Sequence, residues 1–325
     1  MKVLLAGATG AIGIPVTRQL LARGHRVLGL TRDPAGAGRL QALGVTPVVA
    51  DALDRDRLLR AVDGLSADAV IHELTALRKP PLRHRGMAMT DRLRTEGTAN
   101  LLAAAEAMGA RRFVTQSFIL GYGYRDHGPE LLTEDAPFGR PAGDRCDPHV
   151  AAMASTERQA FSVPEGIALR YGLLYGGDAA KVRAMLARRR LPVARGGVLG
   201  WVHHTDAAAA TVAALEHGRP GQAYNLVDDL PAGWQEVFTA MAAAFGAPPP
   251  PRLPRWLFRL VAPYVASFAV DSFMRVSNAK AAAELGWRPV YPTYHDGIHA
   301  MVAAAARKEE PWPSPGRLGA GTRPA

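Results

Sequence analysis

The sequence has only one cysteine, Cys146, among its 325 residues. One cysteine cannot form an intrachain disulfide or build a cysteine-rich metal site. Long hydrophobic runs are also scarce: the nearest candidate, residues 256–270, is shorter than a membrane span and contains Arg259 and Pro263. The chain passes from Met-Lys directly into the apolar run Val3–Ala6, which leaves no room for a signal peptide. We therefore expect a cytoplasmic protein without a membrane segment or a metal site.

Lysine is also rare, because only five of the 39 basic residues are lysine and the rest are arginine. With 29 acidic residues, the net charge is +10. A single-strand nucleic-acid-binding face usually interleaves positive charge with aromatic side chains. The densest basic segment, residues 78–85, has no such aromatics, so we expect no specific nucleic-acid binding. This segment is either a solvated loop or a loop that contacts an acidic or phosphorylated ligand.

A glycine-rich turn after the first apolar run organises the chain. The turn consists of Gly7, Ala8, Thr9, Gly10, Ala11, Ile12 and Gly13, and it opens into a helix-like segment, residues 14–21. Glycines at this spacing permit a tight turn, close approach of a pyrophosphate and close packing of helix on strand. The helix N-terminus adds unpaired N–H groups and a positive dipole end. Because a second strand follows the helix, the pattern predicts a dinucleotide site.

Short β-rich runs alternate with helical segments along the first half of the chain. The predicted strands are Val3–Ala6, Arg26–Thr31, Val45–Val49, Ala69–His72, Arg112–Gln116 and Ile167–Arg170. The plainest helix between them is Thr95–Met108. This alternation predicts an α/β fold, namely a Rossmann-type doubly wound parallel sheet with ligands at the carboxyl ends of its strands.

The remaining chain predicts a smaller, mostly C-terminal substrate lobe. We expect the Rossmann domain to comprise residues 1–177 and 203–228, and the substrate lobe to comprise residues 178–202 and 229–310. Residues 311–325 are rich in proline and glycine and predict a flexible tail.

The end of the second strand distinguishes NADP from NAD. An acidic residue there would accept a hydrogen bond from the adenosine ribose 2′-OH and favour NAD. Here Arg32 follows the strand and Asp33 comes one position late. The planar guanidinium of Arg32 suits a 2′-phosphate, so we expect NADP, with NAD less favoured. The alternative is that Arg32 is simply a surface charge.

The next two strand ends supply further candidate nucleotide contacts. In Asp51-Ala52-Leu53, the carboxylate of Asp51 can accept from the adenine amino group while Leu53 packs nearby. Leu74, Thr75 and Ala76 follow the fourth strand and would lie along the ribose and phosphate path.

Segments spread over nearly the whole chain resemble one family. They are Gly7–Gly13, Val70–His72, Gly97–Ala105, Phe113–Ser117, Leu169–Gly176, Trp201–Asp206, Gly221–Leu226, Asn278–Lys280 and Glu284–Trp287. This set resembles the NAD(P)-dependent epimerase/dehydratase branch of the extended short-chain dehydrogenase/reductase family. The resemblance implies a nucleotide site that includes Tyr171 and Leu173. It also implies Ser117, at the end of the fifth strand, as the catalytic serine.

The family's Tyr-x-x-x-Lys pair is replaced in this chain. Alignment on Glu157, which follows that pair in the family, places His149 at the tyrosine and Met153 at the lysine. In the family the lysine lowers the tyrosine pKa and holds the nicotinamide ribose, and methionine can do neither. A histidine titrates near neutrality without such help and can carry a proton alone. Alternatively, the site has decayed and His149 faces solvent at the start of a helix.

Three functions are compatible with these residues. The first is an NAD(P)-dependent oxidoreductase or epimerase-like enzyme acting on a small, fairly apolar carbonyl or alcohol, with Ser117 holding the oxygen and His149 moving the proton. The second is an isomerase or lyase that keeps the nucleotide as a structural part. The third is a non-catalytic dinucleotide sensor. The apolar segment 256–273 would cover the substrate pocket or contact a partner, and a homodimer is compatible with the sequence.

Overall fold

The structure is a computed structural model that describes residues 1–77 and 81–306. The predicted tail, residues 311–325, lies outside the described residues, as does the part of the basic segment formed by residues 78–80. The strands of the described part are β1 (Lys2–Ala6), β2 (Arg26–Thr31), β3 (Thr46–Val49), β4 (Ala69–His72), β5 (Arg112–Phe118), β6 (Asp126–Leu132), β7 (Glu165–Tyr171), β8 (Leu173–Tyr175), β9 (Val198–Leu199), β10 (Trp201–His203), β11 (Gln222–Leu226), β12 (Ala232–Gly233) and β13 (Phe273–Val276).

The α-helices of the same part are α1 (Gly13–Ala22), α2 (Pro34–Ala42), α3 (Arg55–Val62), α4 (Ala88–Arg92), α5 (Thr98–Ala107), α6 (Asp147–Ala160), α7 (Ala179–Ala187), α8 (His204–His217), α9 (Trp234–Ala244), α10 (Arg255–Val261), α11 (Pro263–Ala269), α12 (Ala279–Leu285) and α13 (Tyr294–Ala306). Short 3₁₀ turns span His84–Met87 and Ile119–Tyr122, and a π-helical stretch, Leu93–Gly97, joins α4 to α5. The predicted helix Thr95–Met108 therefore begins as a wider helical turn.

The main sheet has seven parallel strands in the order β11-β7-β5-β4-β1-β2-β3. Val3 of β1 pairs with Val27 on one side and with Ala69 on the other. The strand order reverses at β1, with β2 on one side and β4 on the other, so the carboxyl ends of these strands form the ligand crevice of a doubly wound sheet. The predicted α/β class and Rossmann-type parallel sheet are confirmed.

Helices cover both faces of this sheet and bury its apolar side chains. One face packs against α1, α2 and α8, and the other packs against α3, α5 and the end of α6. Leu4 and Leu5 alternate between these faces, and both are fully buried. Burial of each such side chain stabilises the fold by roughly 1.5–3 kcal/mol.

The smaller lobe contains a four-stranded sheet in the order β12-β9-β13-β6 and the helices α9, α10, α11 and α13. Two elements depart from the predicted division. The strand β6 comes from the segment assigned to the Rossmann domain but pairs with β13, while α12 packs against α8 and β11 of the main sheet. The segment Asp126–Leu132 was missed as a strand because it contains Gly128 and Pro129 and lacks alternating apolar residues.

The apolar segment 256–273 forms two helices instead of one covering element. Ala262 leaves the helical conformation, with φ −138° and ψ 61°, and Pro263 begins the second helix. Helix α11 buries most of its side chains, whereas α10 leaves Trp256 66% exposed and Leu260 67% exposed. None of the described helices is long and apolar enough to cross a bilayer.

Candidate active site

The glycine turn holds β1 and α1 at very close range. Gly7 has a φ of +97°, a conformation that side chains disfavour, and a Cβ added there would lie 2.7 Å from the carbonyl oxygen of Glu73. A Cβ added at Gly13 would lie 2.0 Å from the carbonyl oxygen of Gly7. Both positions therefore require glycine for backbone reasons alone.

The outer side of the turn is open and suited to phosphates. Gly10 and Ala11 are exposed, and Thr9 is half-buried. Helix α1 begins at Gly13 without a side-chain cap. The N–H of Ile14 already donates to the carbonyl of Gly10 at 3.1 Å, and Pro15 has no N–H, so an anion would meet the backbone N–H groups of residues 11–13, which have no partner among the described residues. Ile12 packs its side chain into the core and can offer only its backbone. The residues present fit the pyrophosphate of a dinucleotide.

Tyr171, predicted as a nucleotide contact, lies beneath the turn with its hydroxyl bonded inside the protein. It is fully buried, and its hydroxyl donates to Glu73 Oε1 at 2.8 Å and lies 2.6 Å from Thr211 Oγ1. Burial raises the pKa of Glu73 to about 8, opposed by the hydrogen bond from Tyr171. Glu73 is therefore protonated at neutral pH, so no buried negative charge opposes phosphate binding beside Gly7.

The end of β2 carries one exposed cation and one acid that is already engaged. Arg32 is exposed, and no ion pair involves it among the described residues. Asp33 caps α2 by accepting from the backbone N–H of Gly36 at 2.6 Å. Pro34 is the first residue of α2 and does not turn the chain away. The one acid at this strand end is thus engaged in helix capping.

The other predicted nucleotide contacts line the same edge of the sheet. Asp51 is half-buried, and its Oδ1 accepts from the backbone N–H of Leu53 at 2.9 Å, which leaves Oδ2 for a ligand. Ala52 is buried, and its carbonyl accepts from Asn100 at 2.8 Å, so its side chain packs in the core.

The predicted nucleotide contacts that follow β4 become more exposed along the chain. Leu74 is half-buried, and its carbonyl accepts from Gln116 at 2.9 Å. Thr75 and Ala76 are exposed, as a nucleotide path requires. Leu173 instead packs in the core of the smaller lobe, 9% exposed, so its predicted role in nucleotide binding is not apparent from its position.

His149 is the third residue of α6 and does not face solvent. It is 3% exposed, and its Nδ1 lies 2.7 Å from Asp91 Oδ2. Its Nε2 lies 3.2 Å from Nδ1 of His84, whose ring is parallel to within 3°. An imidazole held by a carboxylate on one nitrogen and by a second imidazole on the other can pass a proton between them. Since His84 is half-buried, it connects this buried pair to solvent.

Two tyrosines and an arginine complete the cluster around His149. The ring of Tyr264 meets His149 edge to face at 5.3 Å, and its hydroxyl lies 3.2 Å from that of Tyr124. Burial raises the pKa of Tyr264 to about 12, and the nearby charge of Arg94 only partly opposes this rise. These phenols therefore stay protonated near neutrality. We call Asp91, Arg94, Tyr124, His149 and Tyr264 the His149 cluster.

The structure does not bring Ser117 into contact with His149. Ser117 is fully buried, and its hydroxyl has no hydrogen-bond partner among the described residues. It shares a face of β5 with Thr115, whose hydroxyl bonds Thr156 of α6 at 2.8 Å. The ring nitrogens of His149 lie beside Asp91 and His84 instead. Met153 is buried in the apolar core.

A buried ion pair fixes α6 against the main sheet. Arg170 of β7 donates to both carboxylate oxygens of Glu157, at 3.0 and 2.8 Å. Arg170 also donates to the Tyr122 hydroxyl at 2.9 Å, and that hydroxyl donates to Asn225 at 2.8 Å. These bonds hold the helix that carries His149 and leave Tyr122 with no role as a free phenol.

The partners of His149 were not predicted from the sequence. Asp91 and His84 lie 58 and 65 residues away in the chain, so no spacing rule connects them to His149. A signal did exist for Arg94, which falls on the buried side of its helical segment between Thr90 and Thr98. A charged residue at an apolar-face position is a mark of function or of a buried pair.

A second pair of histidines, His203 and His204, is structural. His203 caps α8 by accepting from the backbone N–H of Thr205 at 3.2 Å. Burial lowers the pKa of both His203 and His204 to about 4, so both are neutral. Within residues 1–77 and 81–306, no group of three potential ligands could hold a metal ion.

Comparisons with known proteins agree with this geometry. A family model described as NAD(P)H-binding matches residues 7–158. The chain is 39% identical over 311 residues to a 3-diazoavenalumate denitrifying reductase from a Streptomyces species, which covers 92% of this chain and 99% of the relative. It is 30% identical over 267 residues to a 2-alkyl-3-oxoalkanoate reductase from Stenotrophomonas maltophilia, covering 76% and 77%.

Among solved structures, UDP-glucose 4-epimerase from Thermus thermophilus in complex with NAD superimposes with a TM-score of 0.73 at 25% identity. The match covers 95% of this chain and all of that one. The chain belongs to the extended short-chain dehydrogenase/reductase family, in its epimerase/dehydratase branch. It is an NAD(P)-dependent enzyme of the reductase or epimerase type.

Proposed function

We propose that this enzyme is an NADPH-dependent reductase of a small organic acid, with His149 as the proton donor. The observation that carries the proposal is the buried Asp91–His149–His84 chain at the helix position where the family places its catalytic phenol. When bound, the nicotinamide supplies a hydride. Asp91 accepts from Nδ1 of His149, so the mobile proton leaves through Nε2, and half-buried His84 restores it from solvent.

Our first substrate candidate is a diazo-bearing carboxylate, because the 39% identical relative is named for removing such a group. Loss of dinitrogen from a neutral diazo carbon requires one proton and one hydride. A proton donated to the carbon would give a diazonium, and the hydride of a bound nicotinamide would then replace the leaving dinitrogen, so that the two-electron reduction balances. The nucleotide does not supply the proton, and the chain formed by Asp91, His149 and His84 does.

The second substrate candidate is a 3-oxo carboxylate, which the 30% identical relative is named for reducing. Hydride addition to a ketone carbon leaves an alkoxide, and proton transfer from His149 to that oxygen gives the alcohol. Both reactions use the same pair of hydride and proton. The predicted carbonyl substrate therefore remains compatible with this site.

NADPH is preferred over NADH in this proposal, because Arg32 is exposed at the ribose position while Asp33 is engaged at a helix N-terminus. An isomerase or lyase with a structural nucleotide is less well supported, since a relay to solvent suits net proton uptake. Membership of an enzyme family also argues against the non-catalytic sensor. Cytoplasmic location and a homodimer stay predictions, and sedimentation at several concentrations would test the dimer.

The proposal is tested with His149→Phe, which keeps a flat ring of similar size but carries no proton. Turnover of a diazo carboxylate and of a 3-oxo acid should fall by about 10²–10⁴-fold, the usual contribution of general acid catalysis. NADPH affinity should stay within about twofold, because the contacts of His149 are with Asp91, His84 and Tyr264 and not with the glycine turn. Nucleotide oxidation and dinitrogen release would be measured together.

The matched control is His217→Phe, which makes the same substitution at an exposed residue near the end of α8. It should leave both turnover and NADPH affinity unchanged. A His149→Phe variant as active as the unmutated enzyme would remove histidine from the mechanism and return the isomerase and lyase alternatives to the front.

A further inference from the structure

Arg94 is a buried cation without an anionic partner in the part of the chain that the structure describes. It lies in the π-helical stretch Leu93–Gly97 and is only 4% exposed. Its Nε is buried without a hydrogen-bond partner, and no carboxylate of residues 1–77 or 81–306 forms an ion pair with it. A buried guanidinium is costly unless an anion accepts from it, so this arrangement indicates an absent partner.

A nearby arginine at the surface, Arg92, provides a comparison for Arg94. Arg92 lies two residues earlier, and its side chain is half exposed. It donates to both oxygens of Glu96, at 3.0 and 2.7 Å. The same segment therefore pairs its exposed arginine with a carboxylate and leaves its buried one without an ion-pair partner among the described residues.

Arg94 lies near the two tyrosines of the His149 cluster. Its charge acts on the phenols of Tyr124 and Tyr264, whose hydroxyls lie 3.2 Å apart. It also acts on His72, the last residue of β4, which is followed by the segment assigned to the nucleotide path. Arg94 also follows Asp91 by three residues in adjoining helical stretches, so both side chains lie on the same side, and Asp91 Oδ2 lies 2.7 Å from His149 Nδ1.

When His149 is protonated, the His149 cluster carries one more positive charge than negative charge. Its single carboxylate, Asp91, is committed through Oδ2 to His149. The other oxygen, Oδ1, is buried without a partner and makes no ion pair with Arg94. When His149 carries its proton, Asp91 balances the imidazolium, so Arg94 still lacks a counter-charge.

We infer that Arg94 receives the carboxylate of the substrate and thereby orients its reacting carbon between His149 and the nicotinamide. A guanidinium matches a carboxylate through two parallel hydrogen bonds, which fix direction as well as distance. The rings of Tyr124 and Tyr264 suit a flat apolar body next to that carboxylate. The assignment deepens the proposed reductase, on which it rests for the identity of the reacting group.

Binding of an unreactive acid tests this assignment without any turnover. Cinnamate and cinnamamide share one shape, and only cinnamate carries a charge. Calorimetry on the NADP-loaded enzyme should show cinnamate binding about tenfold or more tightly, because a charge-assisted pair replaces a neutral hydrogen bond. Equal binding of the two compounds, or binding of neither, would overturn the assignment.

The variants Arg94→Met and Arg94→Lys test whether the preference for cinnamate over cinnamamide comes from Arg94. Arg94→Met keeps an unbranched apolar stem and should remove the preference for cinnamate, whereas Arg94→Lys should keep part of it. The matched control, Arg92→Met, should retain the full preference. If Arg94→Met fails to fold, Arg94→Lys and the comparison of the two ligands on unmutated enzyme still decide the question.

This experiment separates the two proposals. A preference for cinnamate that depends on Arg94 supports the carboxylate site even if neither a diazo acid nor a 3-oxo acid is reduced, in which case only the reductase proposal fails. Turnover of either acid with equal loss on Arg94→Met and Arg92→Met would instead uphold the reductase and overturn the role of Arg94.

Discussion

The glycine turn and the His149 cluster lie at the same end of the main sheet but are built in opposite ways. The turn is made of consecutive residues, Gly7–Gly13, and its function depends on backbone geometry. The cluster draws its side chains from α4, the π-helical stretch, the segment after β5, α6 and α11. A local backbone site can therefore be predicted from spacing, whereas a site assembled across distant segments requires the fold.

The two regions also differ in how they manage buried charge. Beneath the turn, Glu73 is kept neutral by burial and held by Tyr171, so phosphates meet no opposing charge. In the His149 cluster, Asp91 is paired with an imidazole, and Arg94 has no ion-pair partner within residues 1–77 and 81–306. The nucleotide side thus holds a neutral buried acid, of which only Oε1 has a partner among the described residues, while the substrate side holds a buried cation without an ion-pair partner there.

The largest expected effect comes from breaking the turn with Gly13→Ala. The new Cβ would lie 2.0 Å from the carbonyl oxygen of Gly7, so α1 must move away from β1. Overpacking of this kind usually costs about 1–3 kcal/mol or more, and the displaced amides should lose most of the affinity for NADPH. Urea unfolding and nucleotide titration would measure both effects.

The control for this change is Gly38→Ala, in α2, where a Cβ would meet no atom within 4 Å. Helical propensity should make that variant equal to or more stable than the parent, by about 0.5–1 kcal/mol. If Gly13→Ala bound NADPH normally, the nucleotide site would not depend on the backbone of the turn.

A smaller effect should come from the buried acid below the turn. The pKa of Glu73 in the folded state is about 8, well above its ordinary value near 4.5, so between these values the folded protein holds a proton that the unfolded chain has lost. The free energy of unfolding should therefore fall as pH rises through this window, by on the order of 1.4 kcal/mol per pH unit. Glu73→Gln, which can still accept from Tyr171, should flatten that dependence.

Unfolding in urea at pH 5 and pH 8, roughly the ends of this window, would measure the slope. Glu130→Gln serves as the control, since Glu130 is exposed on β6 and its replacement should leave the pH dependence of stability as it is. The same slope in Glu73→Gln and in the unmutated protein would show that Glu73 does not hold the proton.

The features that were predicted from the sequence are the local ones, and those that were missed depend on contacts between distant segments. The bounds of β2 and β4 agree with the structure, because their apolar runs end at clear turn signals. The strand β6 was missed because it is an edge strand that contains Gly128 and Pro129 and is defined by its pairing with β13, not by its own pattern. Asp91 and His84 were missed because their significance depends entirely on where α6 places His149.

The smallest expected effect concerns the choice of nucleotide at the end of β2. Arg32 is exposed there and Asp33 is occupied by the N–H of Gly36, so a 2′-phosphate has a cation available while a free 2′-OH lacks its usual acceptor. Unmutated enzyme should bind NADPH more tightly than NADH, and Arg32→Ala should weaken NADPH by about tenfold while leaving NADH nearly unchanged. Titration calorimetry with each nucleotide gives the ratio.

Arg39→Ala is the appropriate comparison, because Arg39 is an exposed arginine of the adjoining helix α2 and its loss removes the same charge without touching the ribose position. A general electrostatic attraction to phosphate would make both variants lose affinity equally and would fade with added salt. A specific pair would appear as a loss confined to Arg32→Ala and to NADPH. Equal affinity of the unmutated enzyme for NADPH and NADH would rule out selection by Arg32, while leaving the roles of the glycine turn and the His149 cluster untouched.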